Sequence, residues 1–277
     1  MKKTYSHHFS RRHFCFLLAV LWLSSMATWS QETSEVRKEV THSHMISLGG
    51  TEILDTYLSA EKYSGSELRY ISHSLWNYPN SHWSQRLIHQ GILSMVEDRS
   101  GKGSESGGLY SLNYALLRRF PLAGDRLQLS VGCMAELNMG ALYNSRNQNN
   151  PAQVRLSTDI GPTASLGWSF RLLRLNWTIR DEVSVPMLGL MFSPNYGQSY
   201  YEIFDLGNYE HNAVVTTPFN APSMHNLLTL DARLRNITLR IGYLCDIQQA
   251  EVNLLKQHTY THALLIGLVK NFKTTKR

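Results

Sequence analysis

Three long segments of the chain, within residues 126–189, alternate apolar and polar side chains almost without interruption. They are residues 127–139, 154–170 and 173–187. A period of two is the period of a β-strand, in which successive side chains point to opposite faces. Each segment is about twice the ~5–6 residues that are usual in soluble sheets. The pattern therefore predicts strands that are long enough to cross a membrane at an angle.

The same reading along the whole chain predicts an all-β protein, a single antiparallel up-and-down transmembrane β-barrel of about ten strands (8–12). Bacterial barrels have an even number of strands with apolar side chains facing lipid and polar ones facing the lumen. The first three strands are the most weakly patterned. The predicted strands are residues 44–55, 66–76, 83–97, 107–118, 126–141, 153–170, 172–189, 225–235, 237–248 and 258–272.

The predicted connections alternate in length, which orients the barrel. Those after even strands are short, at 77–82, 119–125, 170–172 and 235–236. Those after odd strands are longer, at 59–65, 98–106, 142–152, 190–224 and 249–257. Short periplasmic turns and long outer loops are typical of outer-membrane barrels. The competing architecture is a soluble periplasmic barrel or sandwich, in which the apolar face would be a core.

Aromatic side chains cluster beside the predicted periplasmic turns. A girdle of such residues is expected where a barrel crosses the membrane–water interface. The alternative is that aromatic residues simply favour strands. The residues of this predicted girdle are Trp76, Trp83, Phe120, Trp168 and Phe170.

Residues 1–30 predict a cleaved signal peptide, with basic residues before an apolar run at 14–23. Cleavage is expected after Ala27 or Ser30. The run is too short for a retained membrane anchor, the alternative reading. We therefore expect a short periplasmic segment at 31–43, a barrel at 44–277, and location in the bacterial outer membrane.

The positive charge of the chain lies largely in this leader. It holds four of the 27 Lys and Arg residues and none of the 21 Asp and Glu residues, which leaves 23 against 21, a net charge of +2. The pI of 9.2 therefore does not predict a nucleic-acid partner. Cys133 and Cys245 fall on the apolar parity of their strands, where we expect them to be unpaired and to face lipid.

The opposite parity carries charges of both signs on neighbouring strands. In a narrow lumen such charges are expected to pair, because an isolated buried charge is costly. We expect the lumen to be mostly plugged by this network; the alternative is a selective conduit for a small polar solute. The residues are Arg126, Glu136, Arg155, Asp159, Arg174, Arg180, Glu182, Asp231, Arg233, Arg240 and Asp246.

Candidate chemistry is sparse in this sequence. No Cys/His cluster has the spacing of a metal site. A barrel-embedded hydrolase would need a His beside a carboxylate or a Ser, yet 197–199 lacks the second glycine of a nucleophile elbow. We predict no catalytic, cofactor-binding or metal-binding residues and no cofactor.

The predicted extracellular loop at 190–224 is the most distinctive surface element. A disordered loop would not be this aromatic, so we expect it to fold as a lid or as an extension of the wall. The alternative is a binding surface for a partner or glycan. Its candidate contact residues are Tyr196, Tyr200, Tyr201, Phe204 and Tyr209.

Several segments of the chain resemble a family of exported Bacteroidota proteins, the domain-of-unknown-function family 3316. The resemblance covers nearly the whole chain after the leader and implies an outer-membrane-type barrel, without an established activity or functional residues. The segments are Ile53-Leu54-Asp55-Thr56-Tyr57-Leu58-Ser59, Glu61-Lys62-Tyr63-Ser64-Gly65, Ser193-Pro194-Asn195-Tyr196-Gly197-Gln198-Ser199-Tyr200-Tyr201-Glu202, Leu239-Arg240-Ile241-Gly242-Tyr243, His258-Thr259-Tyr260-Thr261-His262 and Gly267-Leu268-Val269-Lys270.

The sequence thus favours a non-enzymatic envelope protein that is structural or binds a surface partner. Its expected contacts are outer-membrane lipid and an extracellular ligand or envelope protein. A small-solute channel is the second hypothesis, which a measured conductance would favour. A hydrolase is the third, which a cluster of His, carboxylate and Ser at the outer rim would favour.

Overall fold

The computed structural model describes residues 38–79, 81–123, 126–234 and 237–274, without the side chains of 273 and 274. The predicted signal peptide and residues 31–37 lie outside this part of the chain. The described residues form a closed antiparallel barrel of ten strands, which confirms the predicted fold class. Its strands are β1 (Lys38–Asp55), β2 (Ser59–Asn77), β3 (Trp83–Asp98), β4 (Ser104–Leu122), β5 (Leu127–Asn144), β6 (Ala152–Leu172), β7 (Leu175–Ser184), β10 (Met224–Arg233), β11 (Thr238–Val252) and β12 (Leu255–Thr274).

Each strand of the wall pairs with its neighbours in the chain, and β12 pairs back onto β1 to close the ring. Three further elements lie between β7 and β10: β8 (Leu188–Phe192), α1 (Tyr200–Phe204) and β9 (Ala213–Thr216). Strand β8 pairs with β6, and β9 pairs with β8. We call the end at which β1 begins and β12 ends the terminal end, and the opposite end the loop end.

The pairing register fixes the tilt of the strands. When hydrogen-bonded partners are followed once around the barrel from Glu39 on β1, the path returns to β1 at Thr51, twelve residues further. For ten strands, this stagger corresponds to a tilt of about 40° from the barrel axis. About ten residues of each strand then suffice to cross a bilayer. The wall is therefore taller than the membrane is thick.

This height explains where the predicted boundaries differ from the structure. Residues 59–65 and 249–257 were expected to be outer loops, but β2 and the β11–β12 hairpin run through them. Beyond the membrane the outer face of a strand can be polar, so the alternation in sequence is lost although the strand continues. The predicted long outer connections are wrong here; the segment between β7 and β10 is the long one.

The seventh predicted strand, 172–189, is also corrected. The structure ends β7 at Ser184, and Pro186 separates it from β8. Both pieces still follow β6, because Val185 N–H donates to Pro162 O and Met187 N–H donates to Ile160 O, at 3.1 and 3.0 Å. Pro186 has no N–H for the ladder, which interrupts the strand.

The turn that was predicted at 170–172 lies at Leu173 and Arg174. Both residues have positive φ, 50° and 64°, as do Asn253 and Leu254 in the β11–β12 turn, 51° and 61°. This is the geometry of a two-residue type I′ hairpin. The usual Asn-Gly or Asp-Gly signal is absent at 173–174, so the sequence predicted a turn here but placed it up to three residues too early. The turn predicted at 235–236 lies outside the described residues.

The apolar parity of the strands faces outward, so the exterior carries a broad exposed apolar surface. The predicted aromatic girdle residues lie near the strand ends at the terminal end, where Trp177 of β7 joins them opposite Phe170. Cys133 and Cys245 are unpaired thiols on this outer parity. No helix in the described ranges is long and apolar enough to span a membrane.

Candidate functional site

The lumen is filled by side chains in layers, the first of which lies toward the terminal end. Glu182 of β7 is its centre. Its Oε2 lies 3.1 Å from Arg86 NH1 and 3.1 Å from His73 Nε2, and its Oε1 lies 3.9 Å from Arg180 NH1. Arg86 also donates to Asn113, Thr163 and Ser184. We call the group Arg86, Glu182, His73, Arg180, Arg240 and Asp231 the terminal layer.

The other part of the terminal layer is a bidentate ion pair between Arg240 and Asp231. The Nε and NH2 of Arg240 on β11 donate to the two carboxylate oxygens of Asp231 on β10, at 2.6 and 2.7 Å. Its NH1 donates to Ser43 Oγ at 3.0 Å. Paired geometry of this kind is the strongest form of a charged hydrogen bond. Each of the three nitrogens of the Arg240 guanidinium therefore donates to a partner inside the protein.

A second charged group, the middle layer, comprises Arg69, Glu67, Asp246, His225 and Glu136. Arg69 donates from NH1 to Asp246 at 2.9 Å, and its NH2 lies 2.8 Å from Glu67 Oε1. His225 Nδ1 lies 2.7 Å from Asp246 Oδ1, and its Nε2 lies 3.5 Å from Glu136 Oε2. Carboxylates therefore face both ring nitrogens of His225, an arrangement suited to a structural ion pair.

An apolar layer separates the terminal and middle layers. Its apolar side chains lower the local dielectric constant, which strengthens the charged contacts on either side of it; a cavity of about 40 Å³ remains between the layers. Its buried side chains are Met45, Ile71, Ile88, Leu227, Leu244, Ala263 and Leu265.

A third charged group lies at the loop end. Arg155 NH2 lies 2.9 Å from Asp55 Oδ2, and Arg155 NH1 also contacts Gln257. Beside it, Asn144 donates to Glu105 at 2.8 Å and to the hydroxyl of Tyr63 at 3.0 Å. Between this group and the middle layer, the remaining spaces include cavities of about 80 and 60 Å³. These are sizes for a few water molecules.

Residues 193–212, which we call the lid, cover the loop end of the barrel. Helix α1 in the lid begins with a capping box: Ser199 Oγ accepts from Glu202 N–H, and the Glu202 carboxylate accepts from Ser199 N–H at 2.7 Å. The side chain of Ile203, a residue of this helix, is fully buried. The sequence signal for this turn is Ser199 followed three residues later by Glu202.

Tyr200 fastens α1 to the wall. Its hydroxyl donates to Gln153 Oε1 at 2.9 Å and accepts from Val154 N–H at 2.7 Å. Its ring stacks on Phe204 and meets the edge of Tyr57 in the β1–β2 turn. Burial raises the pKa of Tyr200 to about 12. Burial likewise raises the pKa of Tyr57 above its ordinary value.

Both ends of the lid are held by one amide. Asn253, in the β11–β12 turn, donates from Nδ2 to the carbonyls of Ser193 and His211 at 3.1 and 2.9 Å. Within the lid, Gln198 Oε1 accepts from Asn195 N–H at 2.9 Å and from Asn212 Nδ2 at 2.8 Å. The lid is therefore an ordered cover, as its aromatic composition predicted.

The outer face of the lid is aromatic and exposed. Of the five predicted contact residues, Tyr200 points inward and serves as an anchor. The exposed fractions of the other four are 72% for Tyr196, 63% for Tyr201, 59% for Phe204 and 60% for Tyr209. A group of large apolar side chains that remains in solvent on an ordered element is typical of an interaction site.

The structure brings most of the predicted lumen charges into the layers. Asp159 lies in the lumen, hydrogen-bonded to Thr216 at 3.2 Å. Three predicted lumen residues lie elsewhere. Arg126 and Arg174 are exposed in turns, because the neighbouring strands begin or end one or two residues away from them, and Arg233 is exposed as the last residue of β10, at the mouth of the barrel. The lumen residues are Glu136, Arg155, Asp159, Arg180, Glu182, Asp231, Arg240 and Asp246.

Sequence reasoning missed seven of the ionisable residues in the lumen. The missed partners lie on β1 to β4 and at the start of β10. On β2 and β3 both parities mix apolar and polar residues, so the inward face could not be assigned. The missed residues are Asp55, Glu67, Arg69, His73, Arg86, Glu105 and His225. Among the described residues, no group of three potential ligands is placed to hold a metal ion.

A closed barrel of long tilted strands, with an apolar exterior, an aromatic girdle and a charged interior, defines the class of outer-membrane β-barrels. Within that class, the chain belongs to the family described as protein of unknown function (DUF3316), whose pattern matches residues 14–277. No curated protein matches the chain.

Solved structures with a similar fold include three barrels. The outer membrane protease OmpT from Escherichia coli is 6% identical, with coverage of 88% of this chain and 100% of that chain and a TM-score of 0.44. The transport unit of the autotransporter AIDA-I from Escherichia coli is 5% identical, with coverage of 94% and 97% and a TM-score of 0.47. Neisserial surface protein A is 10% identical, with coverage of 82% and 96% and a TM-score of 0.31.

Proposed function

We propose that this protein is a non-conducting, non-enzymatic barrel of the bacterial outer membrane that presents an ordered aromatic lid to a partner outside the cell. Residues 1–30 direct its export and are removed. The observation that carries the proposal is the filled lumen: two charged layers and an apolar layer cross it, and the lid covers its loop end. An ion would have to break buried pairs such as Arg86–Glu182, whose side chains are 1% and 5% exposed.

Conductance in planar lipid bilayers tests the closed lumen. We expect the refolded protein to insert without current steps above those of the empty bilayer. A variant that lacks residues 193–212 serves as the informative comparison. It is also expected to be silent, because the charged layers lie below the lid. Discrete open steps from the intact protein would overturn the proposal and favour the small-solute channel.

Partner binding by the lid is supported by its four exposed rings and needs a separate test. A photo-crosslinking amino acid at Tyr201 in cells is expected to give a discrete adduct. The same amino acid at Leu254, in the β11–β12 turn at the same end and 87% exposed, is the matched control. Adducts that are absent at both positions, or equal at both, would count against a binding role of the lid.

A further inference from the structure

The terminal end of the barrel opens into a cavity of about 760 Å³, which we call the vestibule. It lies between β6, β7, β10, β11, β12 and β1, and the terminal layer forms its floor. This volume falls in the range of small-molecule binding sites. The vestibule is separate from the lid, which covers the other end of the barrel.

The lining of the vestibule is basic. It contains the side chains of Arg126, Arg171, Arg180 and Arg233, against the single acidic residue Asp231. Arg126, Arg171 and Arg233 are exposed, and none of the three makes an ion pair with an acidic residue in the described part of the chain.

The negative charge of the one acidic residue, Asp231, is already balanced by Arg240, which does not line the vestibule. Both oxygens of Asp231 accept from Arg240, whose guanidinium lies behind the floor and does not line the cavity. The positive charges of Arg126, Arg171 and Arg233 in the lining are therefore not compensated by an acidic residue of the described part of the chain. Walls of low dielectric around such a cleft concentrate its potential and attract counter-ions.

Arg180 lies in the floor of the vestibule, and not all of its N–H donors have hydrogen-bond partners. Its NH1 is 3.9 Å from Glu182 Oε1, and that carboxylate also serves Arg86 and His73 at 3.1 Å. The Nε of Arg180 is buried without a hydrogen-bond partner among the described residues. A guanidinium has five N–H donors, so Arg180 retains donors for a ligand that enters the vestibule.

We propose that the vestibule binds a small multivalent anion that carries phosphate groups. A guanidinium matches the oxygens of a phosphate in a two-pronged geometry. Neutral donors on the wall complete the site, from Ser169, Asn176 and Thr178 on β6 and β7. The proposal is independent of the role of the lid, because it uses different residues at the opposite end.

Inorganic pyrophosphate is the probe, titrated by calorimetry into the purified barrel in phosphatidylcholine nanodiscs. We expect saturable binding that weakens as salt is raised. Arg180→Gln is expected to raise the Kd about tenfold, since one charged hydrogen bond to the anion is lost. Arg233→Gln removes an exposed arginine without touching the floor, so it is expected to fold normally and also to raise the Kd.

The matched control is Arg118→Gln, at the same end but on the outer face, where the guanidinium lies over Phe120. It is expected to leave the Kd unchanged. Nanodiscs that contain phosphatidylglycerol identify the source of the anion. Weaker pyrophosphate binding than in phosphatidylcholine discs indicates that lipid headgroups compete for the vestibule. Equal binding in the two kinds of disc indicates a soluble phosphate. No saturable binding in either disc, or an equal loss in the Arg118→Gln variant, would overturn the proposal.

Discussion

Glu182 is the residue on which the terminal layer depends. Its single carboxylate faces Arg86, Arg180 and His73 inside the filled lumen. If the charge of Glu182 is removed, water cannot solvate the neighbouring cations in its place, because the side chain of Glu182 is only 5% exposed. A complete buried group of charges adds little to the free energy of unfolding. Removal of one member is strongly destabilising, because it leaves the partner charges buried and unpaired.

We therefore expect Glu182→Gln to lower the free energy of unfolding by about 3 kcal/mol or more, because it leaves the buried guanidinium of Arg86 without an anion. The measurement is a urea titration of the barrel in lipid vesicles, followed by tryptophan fluorescence.

Glu251→Gln is the control for this variant. Glu251 pairs with Lys256 at 3.3 Å, but the two side chains are 66% and 62% exposed, so we expect a loss of less than about 1 kcal/mol. Equal losses in the two variants would show that the terminal layer adds nothing beyond a surface ion pair.

For a single residue, the sequence predicts whether the side chain faces the lumen or the exterior where the two faces of the strand differ clearly in polarity. Arg180 and Glu182 were assigned to the lumen because Ile179 and Val183 alternate with them. His73 was not, since Ser72 and Ser74 on the outer face of β2 are as polar as the residues inside. The pairing of Glu182 with His73 and Arg86 joins strands that are not adjacent in the barrel wall, so no local pattern reveals it.

The lid is an element whose order comes from a few polar contacts and a ring cluster. Its helix of five residues is too short to be stable alone. The capping box at Ser199, the buried Ile203 and the Tyr200 anchor together hold it on the barrel.

Tyr200→Ala is expected to release the lid while the barrel stays folded. The substitution removes two hydrogen bonds and the stacking on Phe204. Hydrogen exchange measured by mass spectrometry should become faster in residues 193–212 only. Tyr196→Ala, at a ring that is 72% exposed, should leave exchange unchanged; faster exchange throughout the wall would contradict an independent lid.

Alkaline pH should also open the lid. The pKa of Tyr200 is raised from 10.0 to about 12 when the lid is closed, so its neutral form is favoured there. This contribution is complete below pH 10 and is lost as the pH rises through about 12. Tyr57 acts in the same direction.

Subtilisin cleavage of the lid, normalised to a peptide substrate, measures this opening. The cleavage rate is expected to rise between pH 10 and 12, and the rise should be smaller in Tyr200→Phe. A rate that does not respond to pH in this range would show that these rings do not hold the lid.

Element boundaries were predictable inside the membrane and less so outside it. The starts of β3 and β6 were placed within one residue, because each follows a predicted connection, at 77–82 and at 142–152. The segment after β7 was expected to form a lid or to extend the wall, but the bounds of β8 and β9 were not predicted, since strands of five and four residues carry too short a pattern to separate them from an aromatic loop.

For the whole molecule, closure of the ring predicts resistance to detergent. All ten strands are paired on both sides, so the wall has no free edge at which unfolding could begin. In a gel with sodium dodecyl sulfate, we expect an unboiled membrane sample to migrate differently from a boiled one. Identical migration, together with recovery in the soluble periplasmic fraction, would contradict the membrane barrel.

The pairing of β1 with β12 has a consequence for how the protein is made. Its first partners, Lys38 and Thr274, lie at opposite ends of the described chain, so the ring cannot close until Thr274 has been synthesised. Contacts this distant in sequence slow folding. Until then β1 has one unpaired edge that is open to aggregation. Closure must therefore wait for β12, and the unpaired edge of β1 is protected only when β12 pairs with it.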